Sequence, residues 1–129
     1  IMEYAEKCPV RQDVLDPAAG LRNLGGDAAL YQQVLAEYVR ENRGFADRLS
    51  EAIDSGQFDE AARMVHKMKS SSGSIGAKPV YEQSVELQKL LREGNKAAIK
   101  PAQTRFSILT EQLLAEITDY QKQAERLPE

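Results

Sequence analysis

Apolar residues recur at three- and four-residue steps through most of this chain, and no segment alternates convincingly with period two. Such spacing lines apolar side chains along one stripe of a helix, so the chain is committed to amphipathic helices and offers no strand. Polar and glycine punctuation divides the helices. Asp16-Pro17 reads as an N-cap followed by proline at the first helical position, opening a short helix that Gly25-Gly26 ends. Asp27 then caps one long segment, with Tyr31, Val34, Leu35, Tyr38, Phe45, Leu49, Ala52 and Ile53 on its apolar stripe and Ser55-Gly56 at its end. The next helix runs from about Phe58, with Ala61, Ala62, Val65, Met68, Ser72 and Ile75 on its stripe, and closes at Gly76. Pro79 fits the first turn of its successor, which turns Val80, Ser84, Leu87 and Leu91 inward and stops at Gly94-Asn95. A last helix carries Ile99, Ala102, Phe106, Leu109, Leu113, Ile117 and Tyr120; Pro101 should either kink it or mark its true start, and its end near Pro128 should fray. The expected fold is all-α, an antiparallel up-down four-helix bundle with an additional short N-terminal helix. Residues 1–15 lack periodicity and read as an N-terminal arm or linker, and residues 16–127 as the bundle domain.

The remaining bounds are broad. A chain of 129 residues has the length of one domain. Its net charge of -3 gives no reason to expect nucleic acid or an anionic membrane as a partner. Cys8 is the only cysteine, so neither an internal disulfide nor a cysteine-rich metal site can form. No apolar run approaches the ~20 residues of a membrane span, and a cytoplasmic location is the expectation. The Ile1-Met2 start suits a module cut from a longer chain, though a free-standing protein fits too.

His66 is the only histidine. A lone histidine on a helix is most often structural. Taking ~100° per residue, however, His66 lies roughly 110° from the centre of the Val65–Met68–Ser72 stripe, at the border between core and solvent. Its neighbours on that face are Asp59, Ala62, Arg63, Lys69, Ser70 and Gly73. Ala62 and Gly73 are small enough to leave the imidazole open to a partner surface. Lys69 and Arg63 put positive charge where a phosphoryl group on the ring would sit, and the hydroxyls of Ser70 and Ser71 are donors to its oxygens. A neutral imidazole attacks phosphorus, and histidine is the side chain whose charge state is poised near neutral pH. The Ser70–Ser74 run can also be read as a flexible linker. Ser72 and Ile75 keep the apolar register of Val65 and Met68, which extends the helix through it.

His66-Lys67-Met68-Lys69-Ser70-Ser71, followed by Gly76-Ala77, resembles the signature of the histidine-containing phosphotransfer (HPt) domain family, His-x-Leu-Lys-Gly-Ser and then Gly-Ala. Leu24-Gly25-Gly26-Asp27 with Leu30 resembles the Leu-Gly-Gly-Asp-x-x-Leu opening of many such domains. Ser84-x-x-Leu87-Gln88 is similar to the Cys-x-x-Leu-Glu of the helix after the histidine. The resemblance covers roughly residues 16–120. Two positions depart from it: Ser70 stands where the family has glycine, and Gln88 puts an amide in place of the usual acid.

The resemblance implies a phosphorelay intermediate of two-component signalling. His66 would be the phosphoacceptor, exchanging its phosphoryl group with the aspartate of a response-regulator receiver domain. Lys69 would stabilise charge on the phosphoryl oxygens, while Ser71, Ser70 and Gln88 would contribute hydrogen bonds. The domain would need no cofactor or metal of its own, with Mg²⁺ carried by the receiver. No glycine-rich loop with a Walker lysine is visible, so no kinase activity of its own is expected. Any longer parent chain would be a hybrid sensor histidine kinase, membrane-bound or not, with this domain as a cytoplasmic monomeric module. The alternative is a non-catalytic helical adaptor that binds a signalling partner and tolerates loss of His66. A metal-binding bundle would want several inward carboxylates and Glu-x-x-His pairs, whereas Arg63 sits three residues before His66.

Overall fold

The computed structural model describes residues 13–126, and every regular element among them is helical. In chain order these are α1 (Pro17–Asn23), α2 (Ala28–Asn42), α3 (Phe45–Asp54), α4 (Phe58–Ile75), α5 (Lys78–Glu93) and α6 (Lys96–Arg126). The caps are those expected of the sequence. The Asp16 carboxylate accepts from the Ala19 N–H at 3.2 Å and that of Asp27 from the Leu30 N–H at 3.0 Å, each satisfying a donor that the first helical turn leaves open. Asn95 does the same for α6 through the Ala98 N–H at 3.2 Å. Pro101 lies inside α6, beyond its first turn, so it does not mark the start of that helix.

The long segment expected between Asp27 and Ser55 is two helices. Gly44 adopts φ 73°, a left-handed conformation open to glycine at no steric cost, and it ends α2 and starts α3. The Arg48 side chain reaches back over the break, donating to the Arg43 carbonyl at 2.8 Å. Tyr38 and Phe45, seven residues apart, both remain buried, so the apolar register passes through the break without a change of phase.

One core joins all six helices. α4 packs chiefly against α5 and also touches α1, α2 and α3, while α6 packs on α5, α2 and α3. Edge-to-face ring pairs, Tyr31 with Tyr120 and Phe45 with Phe106, tie α2 and α3 to α6. Val14 and Leu15 fall in the stretch read as an arm, yet both are buried, and their N–H groups donate to a single Glu116 carboxylate oxygen at 2.8 Å each. Two apolar residues are too few to show a period, which is why the sequence does not announce them. Residues 1–12 of that arm, Cys8 included, and the end at Pro128 lie outside the described residues.

The C-terminus of α4 is clamped. Gly76, at φ 92°, lets the chain turn beneath α1, and its carbonyl accepts from the Asp16 N–H at 2.9 Å. A Cβ at Gly76 would stand 2.3 Å from the Asp16 carbonyl oxygen, and one at Gly20 of α1 would stand 2.3 Å from that of Ile75. Asn23 adds bonds from its amide to the Gly73 and Ser74 carbonyls. Together these contacts fix where α4 ends, and so the height of every side chain along it.

Candidate functional site

α4 is amphipathic, and burial of its apolar stripe decides where its polar side chains point. Ala61, Val65, Met68, Ser72 and Ile75 are all buried. Ser72 can be buried because its hydroxyl pairs with the Tyr38 hydroxyl at 2.8 Å, which also lies 2.8 Å from the Met68 sulfur. The Tyr31 hydroxyl donates to the Ile75 carbonyl at 2.8 Å. Burial pushes the ionisation of both tyrosines well above the ordinary phenol range; the Ser72 hydrogen bond works against this at Tyr38, and the charges of Tyr120 and Asp16 add to it at Tyr31. α2 holds the inner face of α4 in this way, and His66, on another face, is exposed.

His66 stands against α5. The Gln88 amide nitrogen lies 3.4 Å from His66 Nδ1, a long contact that leaves the ring exposed. Further along the same pair of helices, a Cβ at Gly73 would come within 3.2 Å of the Tyr81 ring, so the absence of a side chain there lets Tyr81 lie over α4. His66 opposite Gln88 and Gly73 opposite Tyr81 define one register between the two helices. His66, half-buried Lys69 and Gln88 line a shared open depression of about 470 Å³. Three of the residues singled out from sequence are therefore brought together.

The serines are not brought there as a group. Ser71 is five residues from His66, about 140° around the helix at ~100° per residue. Its hydroxyl donates to the Lys67 carbonyl at 3.2 Å, and its side chain lines grooves shared with Glu41 of α2. Ser71 is thus placed away from the depression that holds His66, Lys69 and Gln88. Ser70 lies one turn beyond His66 and is exposed, with its carbonyl accepting from the Ser74 hydroxyl at 3.2 Å. Arg63, also expected to lend charge, is engaged with Glu60 at 2.7 Å.

The depression holds residues that sequence reasoning did not single out: Val85, Lys89, Arg92 and Glu93, all on α5. Their spacing of three, four and seven from Gln88 or from one another puts them near its face, a signal that becomes readable once Gln88 is set opposite His66. Among the described residues, no group of three or more histidine, cysteine, aspartate or glutamate side chains is placed to hold a metal ion. No described helix is long and apolar enough to cross a membrane.

A family model, Hpt domain, matches residues 33–123. With the exposed histidine on its central helix, the chain belongs to the Hpt domain family, whose members take part in two-component phosphorelays and generally exchange phosphoryl groups with receiver domains. The match begins inside α2, so α1 and the Leu24–Asp27 opening precede it. Comparison with curated proteins and with solved structures gave no match.

Proposed function

We propose that this chain is a phosphorelay intermediate that carries a phosphoryl group on His66 and exchanges it with the phosphoaccepting aspartate of receiver domains. The observation that carries the reading is an exposed histidine on a helix whose inner face is bonded to Tyr31 and Tyr38, its Nδ1 met by Gln88 and its flank by Lys69. Nδ1 is engaged, so Nε2 is the attacking nitrogen. The amide of Gln88 serves this chemistry in its turned-over orientation, Oε1 accepting from Nδ1–H, which leaves the lone pair on Nε2. That lone pair attacks the phosphorus of the receiver's aspartyl phosphate. The N–P bond forms, the acyl O–P bond breaks and aspartate leaves as a carboxylate. Nδ1 keeps its proton, and the positive charge developing on the ring is met by the Gln88 carbonyl. Lys69 offsets charge on the phosphoryl oxygens, and Ser70 is close enough in helical phase to add a hydrogen bond. Mg²⁺ belongs to the receiver, and this chain supplies a positioned nucleophile.

The scaffold fits an antiparallel up-down four-helix bundle in which α2 and α3 together make one leg, α4, α5 and α6 the others, and α1 the additional N-terminal helix. In this reading the domain works in the cytoplasm as a monomer, free or as a module of a hybrid sensor kinase. The test is phosphoryl transfer from a panel of phosphorylated receiver domains, beside a His66→Gln variant. Acid-labile, alkali-stable label on the native chain and none on the variant is expected. A folded native chain that stays unlabelled across the panel overturns the reading in favour of a non-catalytic adaptor.

A further inference from the structure

The depression around His66 is charged out of keeping with the rest of the molecule. The whole chain carries a net charge of -3. The depression is lined by Lys69, Lys89 and Arg92 against one carboxylate, Glu93, which with a neutral His66 leaves two positive charges in excess. Among the described residues, none of these three cations shares in an ion pair, whereas Arg63, on the same helix as His66, is paired with Glu60. Lys89 and Arg92 are exposed. Helices that bury their apolar stripes have no folding use for unpaired cations gathered about one side chain, and gathering them costs mutual repulsion.

Exposed apolar side chains border the cations. α5 presents Tyr81 and Val85, 41% and 46% exposed, on the side towards Gly73, and Lys89 and Arg92 on the side towards its own C-terminus. His66 and Gln88 lie between. A partner that docks here meets cations on both sides of His66, Lys69 on the Val85 side and Lys89 and Arg92 on the other, so its negative charge is drawn towards the ring.

We infer that Lys89 and Arg92 form an electrostatic guide that attracts the acidic phosphoaspartate pocket of a receiver to His66. They act on encounter and docking, and the transfer step itself stays with His66, Lys69 and Gln88. The inference rests on the proposed exchange with receivers. Charges at the rim of an interface govern association and its salt dependence more than the events that follow. At low ionic strength they reach the partner before contact, and at 0.5 M salt they are screened within a few ångströms.

The experiment takes whichever phosphorylated receiver labels the native chain and measures single-turnover transfer against receiver concentration at 20 mM and 500 mM NaCl. It compares the native protein, a Lys89→Gln/Arg92→Gln double variant and the charge-conserving Lys89→Arg/Arg92→Lys. At low salt the neutral variant is expected to need about tenfold more receiver for half-maximal rate, with the maximal rate unchanged. The difference should vanish at high salt, and the charge-conserving variant should track the native chain. Equal half-saturation at low salt, a loss confined to the maximal rate, or a difference that salt does not alter overturns the guide. A native chain that no receiver labels removes the proposed exchange instead, and a different lane reports it.

Discussion

The two faces of α4 are built on opposite plans. Its inner face is over-determined: Ser72 meets Tyr38, the Ile75 carbonyl meets Tyr31, and Gly76 and Gly20 admit backbone where no Cβ fits. Its outer face holds His66 by one 3.4 Å side-chain contact. A nucleophile that must be reached by a second protein has to be exposed, so its position cannot come from packing around it. Position is supplied from behind, through the helix. Changes to the inner face should therefore cost stability and spare the chemistry, and changes to the outer face should do the reverse, as loss of labelling in a still-folded His66→Gln would show.

The sharpest way to break that division is Gly76→Ala. The added Cβ meets the Asp16 carbonyl at 2.3 Å, in a backbone conformation that disfavours any side chain. Strain of left-handed backbone and overpacking together are expected to cost about 3 kcal/mol or more, read by urea unfolding. His66 lies almost three helical turns away, so transfer per folded molecule should stay within about twofold of native. A large loss of transfer with little loss of stability would mean that the clamp serves the site directly.

High pH sharpens the same contrast. Burial raises the ionisation of Tyr31 and Tyr38 in the folded state, while in the unfolded chain both titrate near 10. Above about pH 10 the unfolded state loses these protons and the folded state keeps them, so stability is complete below that pH and falls as pH rises. Each tyrosine contributes a slope of up to about 1.4 kcal/mol per pH unit. Removing one hydroxyl in Tyr38→Phe should roughly halve the tyrosine part of that slope between pH 10 and 12, measured by urea titration. An unchanged slope would show that Tyr38 ionises without unfolding.

How much of this was legible depended on whether the signal lay along one helix or between two. The caps at Asp16 and Asp27 and the stripe of α4 read directly from residue type and spacing, because each is satisfied within a few residues. The break at Gly44 did not, because Tyr38 and Phe45 keep one helical phase on either side of it. At the site, His66 and Lys69 were readable from their shared helix face as well as from the resemblance, and Gln88 from the resemblance alone. Lys89 and Arg92 were not, because their relevance depends on the register of α5 against α4, set by Gln88 opposite His66 and Tyr81 over Gly73. A linear signature also does not say which face of the helix each residue occupies, and Ser71, with its hydroxyl on the Lys67 carbonyl, lies off the face of His66.

Ser71→Ala has the smallest expected effect and bears most directly on where the outer face ends. The serine sits in the signature yet stands about 140° from His66, its hydroxyl spent on the Lys67 carbonyl one turn back. That bond duplicates an acceptor the helix already uses, and serine is a poorer helix former than alanine by about 0.5 kcal/mol. Stability should therefore be unchanged or rise by no more than about 0.5 kcal/mol, and transfer from a phosphorylated receiver should stay within about twofold. A tenfold loss of transfer at unchanged stability would correspond to about 1.4 kcal/mol lost only when the partner is docked. The partner would then have to wrap α4 as far as the Glu41 groove, and the division between a face that positions and a face that reacts would need a third region between them.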